Sequence, residues 1–204
     1  MSKDHLPHVT SEEERYFSKK EFDRREFVRQ KLEREVKHQR ELRRIGQTVG
    51  ESSTEILEQI RKLGFDGETA VIFQLLPLVI VAWADGKVSG KERTVIFKWL
   101  EARGIAEGSD AWTMMGTLLE QRPSDHVMEE GLRLLALIAS HHEGEAKSIV
   151  DFCFALAESH GGFFGLGKKL SDEERALIHH IAEVLGPEAM AEAQVLLKAK
   201  GAIG

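Results

Sequence analysis

The sequence is poor in cysteine, in proline and in long apolar runs, and each shortage excludes a class of protein. A single cysteine, Cys153, excludes an intramolecular disulfide framework and a cysteine-based zinc finger. Four prolines and few runs of β-branched or aromatic residues argue against a β-sandwich or a barrel. The most apolar stretch, residues 69–84, is interrupted by Gln74 and Pro77 and is shorter than the roughly 20 residues that a membrane-spanning helix needs. We therefore predict no transmembrane segment.

The composition that is present is typical of a globular protein. Of the 204 residues, 42% are hydrophobic and 30% are charged, which provides enough apolar material for a core and excludes disorder throughout. Residues 11–44 carry a net charge of +3, whereas residues 45–204 carry a net charge of −9. Because an acidic body does not attract phosphate backbones, we predict that the chain binds no nucleic acid.

The first ten residues are polar, and they predict a flexible N-terminus (residues 1–10) rather than a signal peptide. Together with the lone thiol, this favours a cytoplasmic location. Peripheral association with a membrane surface is left open as an alternative.

Residues 11–50 predict one long, charged helix. The stretch from 11 to 44 has no glycine or proline, and it begins with glutamates and ends with arginines, as the helix dipole favours. Its apolar stripe is too narrow for a core helix, so the helix is either laid along the body or used for binding. The stripe residues that we expect to pack on the body are Leu32, Val36, Leu42 and Ile45. We expect Phe17, Phe22 and Phe27 to be left for a protein partner or for self-association.

Helix signals continue through residues 51–204 and predict an all-α bundle. A capping box, Ser52 to Glu55, opens the first of these helices, and Pro77 should kink or restart the most apolar one. We count seven or eight helices joined by short loops. The side chains expected in the shared core are Trp83, Ile96, Trp99, Leu100, Leu156, Ile178 and Ile181.

Two segments of this bundle match each other at an offset of 82 residues. Lys87-Val-Ser-Gly-Lys-Glu-Arg93 aligns with Lys169-Leu-Ser-Asp-Glu-Glu-Arg175, and an apolar helix precedes and follows each of them. The match predicts two related helical hairpins packed about a pseudo-twofold axis.

The first of these segments, VAWADGKVSGKERTVIFKWLEARG, resembles the TerB family. That family is named for bacterial tellurite-resistance clusters, and a TerB-like domain also occurs in a membrane-anchored J-domain co-chaperone. The second segment resembles the C-terminal half of a TerB-like subgroup, and residues 51–204 are accordingly assigned to a TerB-like all-helical domain. The resemblance implies a pseudo-symmetric helical fold, no established enzymatic activity, and acidic residues that hold a divalent metal ion.

The first segment also matches the second half of a calcium-binding loop. Asp85, Gly86, Ser89 and Glu92 occupy positions 5, 6, 9 and 12 of an EF-hand loop, but positions 1 and 3 supply no side-chain oxygen, so a complete EF-hand is excluded. Ser89 and Glu92 are also spaced as a helix capping box. The spacing therefore predicts either a calcium-like ion at Asp85, Ser89 and Glu92 or a capped helix. A weaker second site would use Glu158 and Glu174.

The connector of the second segment is rich in glycine and holds Phe163 and Phe164. These side chains either return to the core or form an exposed knob for a partner. The connector has Walker A spacing, but it follows a helix and lacks the hydroxyl that would hold magnesium. Paired histidines at 141–142 and 179–180 are a weak zinc signal, because neighbours on a helix point about 100° apart.

Two functions are consistent with these patterns. The first is a non-catalytic, TerB-like interaction module in a bacterial stress response of the tellurite-resistance type or in an envelope-associated complex. The alternative is a divalent-cation sensor or buffer that binds calcium-like ions at the Asp85–Glu92 loop. No residue set has catalytic spacing, so we predict that the chain is not an enzyme.

Overall fold

The computed structural model describes residues 11–142, 144–159 and 170–201, and within these ranges it is built from α-helices without a β-strand. The all-α class predicted from the sequence is confirmed. The helices are α1 (Ser11–Val49), α2 (Thr54–Lys62), α3 (Ala70–Phe73), α4 (Leu76–Ala82), α5 (Gly90–Ala102), α6 (Asp110–Glu120), α7 (Asp125–Ala139), α8 (Glu145–Ser159), α9 (Asp172–Leu185) and α10 (Pro187–Gly201).

The chain divides into two units, Met1–Glu41 and Leu42–Gly204, which we call the N-terminal and the C-terminal unit. The boundary falls inside α1. The last turns of that helix therefore belong to the C-terminal unit, where Leu42, Ile45 and Val49 are buried in the core.

The described part of the N-terminal unit is a single stretch of helix, and most of its side chains from Glu14 onward are exposed. Ion pairs one turn apart run along it, among them Arg25 with Glu21 at 2.5 Å and Arg29 with Glu33 at 3.4 Å. Each exposed pair of this kind contributes only about 0.3–0.5 kcal/mol, so the pairs support the helix weakly.

Leu32 and Val36, which were expected to pack on the body, belong to the N-terminal unit. Their side chains are 61% and 47% exposed, whereas Leu42 and Ile45, further along the same stripe, are 4% and 0% exposed. A stripe read from sequence shows which face of a helix is apolar. It does not show how far along the helix a core covers that face.

Near the start of the C-terminal unit, one predicted helix cap is wrong and one predicted helix interruption is confirmed. Ser53, not Ser52, caps α2: its hydroxyl accepts a hydrogen bond from the Ile56 N–H at 3.5 Å. The apolar stretch predicted to kink or restart near Pro77 is divided into α3 and α4, and the proline lies in the first turn of α4, where its missing N–H costs no helical bond.

Helix α4 is the centre of the C-terminal unit, because every residue from Leu76 to Ala82 is buried. It packs against α6, α7, α8 and α9, and α8 also packs against α9 and α10. The two matched segments therefore meet through α4, α8 and α9.

Most residues expected in the core are buried there, but two are not. Ile96, Leu100, Leu156, Ile178 and Ile181 are at most 1% exposed. The indoles expected to join them are only partly buried. Trp83 donates its Nε1–H to the Leu118 carbonyl at 2.9 Å, and Trp99 meets Phe152 edge-on with ring centroids 5.9 Å apart. Large aromatic rings with one polar atom commonly stay at the edge of a core.

Two predictions fall outside the described residues: the flexible N-terminus at 1–10 and the placement of Phe163 and Phe164. Among the helices that are described, none combines the length and the apolar character that a membrane crossing requires.

Candidate functional site

The loop between α4 and α5 carries the first part of the predicted ion site. The chain turns at Gly86, whose φ of +83° is a conformation that L side chains rarely adopt, and the Gly86 N–H bonds to the Trp83 carbonyl at 3.0 Å. Asp85 is exposed, and its Oδ1 accepts a hydrogen bond from the Lys87 N–H at 3.2 Å. This is the local turn bond typical of aspartate before glycine.

The beginning of α5 holds the second part. The Ser89 hydroxyl accepts a hydrogen bond from the Glu92 N–H at 3.3 Å, and the Glu92 carboxylate accepts one from the Ser89 N–H. Glu92 is only 4% exposed, so its carboxylate is a buried group that bonds to a backbone donor. The capping box that the sequence left as an alternative is therefore formed.

The second matched segment forms the same cap at the beginning of α9. The Glu174 N–H donates to the Ser171 hydroxyl at 3.1 Å, and the Ser171 N–H donates to the Glu174 carboxylate at 2.8 Å. Ser171 and Glu174 lie 82 positions after Ser89 and Glu92, so the repeat read from the sequence is reproduced in the hydrogen bonding of two helix starts.

The two caps line one cavity of about 350 Å³. Asp85, Ser89 and Glu92 from the first segment line it together with Ser171 and Glu174 from the second, and Lys91 also contributes. Val81 and Ala84 complete the lining. What the sequence predicted as a site with a weaker copy is thus a single shared space. Glu158 is exposed on α8 and does not line it.

Three carboxylates and one ammonium group line this cavity around a small apolar floor. A hard cation prefers several oxygen ligands at once. Among the residues that can be described, however, no group of three or more histidine, cysteine or acidic side chains is arranged to hold a metal ion. In the observed arrangement the Glu92 and Glu174 carboxylates bond to backbone N–H groups instead.

A second polar cluster, which the sequence did not predict, joins the end of α7 to the connection between α1 and α2. The Glu51 carboxylate accepts from the Ser52 and Ser53 N–H groups at 2.6 and 2.8 Å and pairs with His141 at 3.1 Å. His142 donates from Nε2 to the Gly50 carbonyl at 3.0 Å. The adjacent histidines thus bond to the backbone and to a carboxylate of one connection. No sequence signal indicates this, because the partners lie some 90 positions apart.

Glu51 carries the main electrostatic perturbation of this cluster. The Ser53 N–H lowers the pKa of Glu51 from its ordinary value; burial opposes the shift, and the Ser52 N–H and His141 reinforce it. The lone cysteine differs in kind: burial in the core raises the pKa of Cys153, so its thiol stays protonated and unreactive.

The predicted partner-binding phenylalanines of α1 are all exposed. Phe17, Phe22 and Phe27 have 62%, 68% and 61% of their surface accessible, and Tyr16, at 62%, meets Phe17 edge-on at 5.9 Å. Tyr16 was not predicted as part of this exposed aromatic set.

Comparisons of the chain with protein-family models, with curated proteins and with solved structures find no match. They neither support nor refute the resemblance to the TerB family.

Proposed function

We propose that this chain is a non-catalytic helical interaction module that binds a protein through residues 11–41 of α1. The observation that carries the proposal is the exposure of four aromatic rings, those of Tyr16, Phe17, Phe22 and Phe27, within the N-terminal unit. Several large apolar side chains left in water along one helix are typical of a surface that another molecule covers.

The aliphatic residues of the same unit extend this surface. Val28, Leu32 and Val36 are 47–61% exposed, and with Phe17 they fall within a sector of about 100° when 3.6 residues make a turn. A sector of this width is what an amphipathic helix offers to a groove or to another helix.

A second copy of the chain is the first partner to test. Residues 11–41 hold ten basic and nine acidic side chains, so two such helices can place opposite charges beside one another along an apolar seam. Such pairing is weakened by salt, because the charges are exposed.

Site-specific photo-crosslinking in the producing cells tests the proposal. We expect a benzophenone side chain at Phe17 or Phe27 to yield a discrete adduct, with a second copy or with another protein. The control position is Val195, an equally exposed apolar residue of α10 that is 62% accessible. Adducts from Val195 alone, or from no position, would contradict the proposal.

The biological setting of this module is proposed from the resemblance alone. TerB-like domains suggest a bacterial stress response of the tellurite-resistance type or an envelope-associated complex. The lone, buried thiol of Cys153 suits a reducing compartment such as the cytoplasm.

A divalent-cation sensor is the second candidate function, and the cavity shared by the two caps favours it. Asp85, Glu92 and Glu174 line the same space. Glu92 and Glu174 each accept a backbone N–H at one carboxylate oxygen, so an ion in this space would compete with the two helix caps for these groups or share them.

Calorimetric titration with calcium, magnesium and zinc tests this candidate. An ion site would be supported by a dissociation constant tighter than about 100 µM for the native chain. Asp85→Asn should weaken this binding, and Glu107→Gln should leave it unchanged. If none of the three cations produces measurable heat of binding, the ion site is excluded. Glu92 would then serve the helix cap and not an ion.

A further inference from the structure

A cavity of about 420 Å³ lies in the C-terminal unit between α4, α7 and α9; it borders the capped start of α9 at Glu173 and shares Ala84 with the cavity of the two caps. Its floor is apolar, because Ile80, Met128 and Leu132 are at most 8% exposed, and Leu177 is partly buried beside them. The volume is within the range of small-molecule sites, roughly 300–1,000 Å³.

One wall of this cavity is an aromatic ring that is fixed in place. The Trp83 Nε1–H donates to the Leu118 carbonyl at 2.9 Å, which uses the only donor of the indole and holds the ring's orientation. For a ligand the ring therefore offers aromatic, apolar surface and no hydrogen bond. An aromatic face of this kind attracts cations.

The charges at the rim are unbalanced. Arg122 is paired with Asp125 at 2.9 Å, so these two side chains neutralise each other. Glu129 on α7 and Glu173 on α9 are exposed at the rim, and neither makes an ion pair or hydrogen bond within the described part of the chain. Two carboxylates on different helices thus remain to attract positive charge.

We propose that this cavity binds a small organic cation: an ammonium group carried on an aromatic or aliphatic body. The apolar floor and the Trp83 ring would receive the body, while Glu129 and Glu173 would attract the charge. An inorganic cation would find too few oxygen ligands above this floor, and an anion would be repelled by the rim. The inference is independent of partner binding by α1.

Three probes of one shape and different charge test the proposal: phenylethylammonium, neutral 2-phenylethanol and phenylacetate. Each is titrated into the full chain while amide and indole N–H resonances are followed by NMR, with the Trp83 indole signal assigned by Trp83→Phe. We expect the ammonium probe to shift the Trp83 signal with a dissociation constant of about 1 mM or tighter. We expect the alcohol to bind at least about tenfold more weakly, and the carboxylate more weakly still.

Matched variants separate the rim charges from the net charge of the protein. The double variant Glu129→Gln, Glu173→Gln should weaken binding of the ammonium probe by about tenfold or more. Its affinity should then be close to that of the alcohol. The control, Glu101→Gln with Glu107→Gln, removes the same charge from exposed positions that do not line the cavity. Ala176→Trp should block all three probes, because Ala176 is an exposed residue at the cavity wall.

Three results would overturn the proposal. The first is no shift with up to about 10 mM phenylethylammonium. The second is equal binding of the ammonium, the alcohol and the carboxylate, which would show an apolar cavity without charge selection. The third is equal loss of affinity in the rim variant and in its control, which would show a general electrostatic effect.

Discussion

The two units of this chain use apolar side chains in opposite ways. In the C-terminal unit, Phe65 and Phe73 are at most 2% exposed and meet edge-on with centroids 5.5 Å apart. In the N-terminal unit, Phe17, Phe22 and Phe27 are more than 60% exposed. The same residue type therefore stabilises the fold in one unit and remains available for binding in the other.

The sources of order in the two units differ correspondingly. Helix α4 is held by burial on all sides, and each of its larger aliphatic side chains contributes about 1.5–3 kcal/mol. Residues 11–41 depend on backbone hydrogen bonds, on helix propensity and on exposed ion pairs that contribute a few tenths of a kcal/mol each. Changes in the N-terminal unit should therefore alter association, and changes in the C-terminal unit should alter stability.

The largest expected difference is between two truncations, one of a phenylalanine in each unit. Phe73→Ala should lower the free energy of unfolding by about 3–5 kcal/mol, because it opens a cavity in a fully buried site. Phe22→Ala should change it by less than about 0.5 kcal/mol, because the ring is in water. Urea unfolding of both variants measures this difference. Equal losses of unfolding free energy in the two variants would contradict the difference between the units.

A smaller effect is expected from adding one methyl group within the C-terminal unit. A β-carbon at Gly131 of α7 would overlap Cδ2 of Leu76, a fully buried residue of α4, so Gly131→Ala should cost about 1–3 kcal/mol. Gly116 of α6 is the matched control. Its nearest neighbour would be 3.8 Å away, so Gly116→Ala should stabilise by about 0.5–1 kcal/mol. Thermal unfolding that ranks the two variants the other way round would contradict the packing of α4 against α7.

A further effect, which depends on pH, is expected at the start of the C-terminal unit. The pKa of Glu51 is lowered in the folded chain, so its charged form stabilises the fold above the ordinary carboxylate pKa, and this contribution is lost as the pH falls. Glu51→Gln should therefore lower the melting temperature at pH 7, by the equivalent of about 1 kcal/mol, and the difference from the native chain should shrink as the pH falls through the lowered pKa of Glu51. A constant difference across this pH range would show that the charge of Glu51 is not the cause.

Local features were predictable from sequence because their partners are close along the chain. The capping box expected at Ser89 and Glu92 is formed, and Pro77 marks the expected restart at α4. The cap of α2 was misplaced by one residue, since Ser52 and Ser53 are both good capping residues and the sequence does not distinguish them.

Features that depend on the placement of distant elements were not predictable. The two segments that hold these caps were recognised as copies, but their convergence on one cavity requires the packing of α4 against α8 and α9. The pairing of Glu51 with His141 joins residues 90 positions apart. The cavity beside Trp83 combines α4, α7 and α9 and has no motif of its own.

The most direct test of the central claim combines sedimentation velocity and thermal unfolding of the full chain and of a deletion of residues 1–27. We expect the deletion to abolish any self-association that the full chain shows in low salt, while shifting the melting temperature by less than about 2 °C. A deletion variant that associates as before, or that melts about 10 °C lower, would contradict it, because the phenylalanines of α1 would then not bind a partner or would belong to the core.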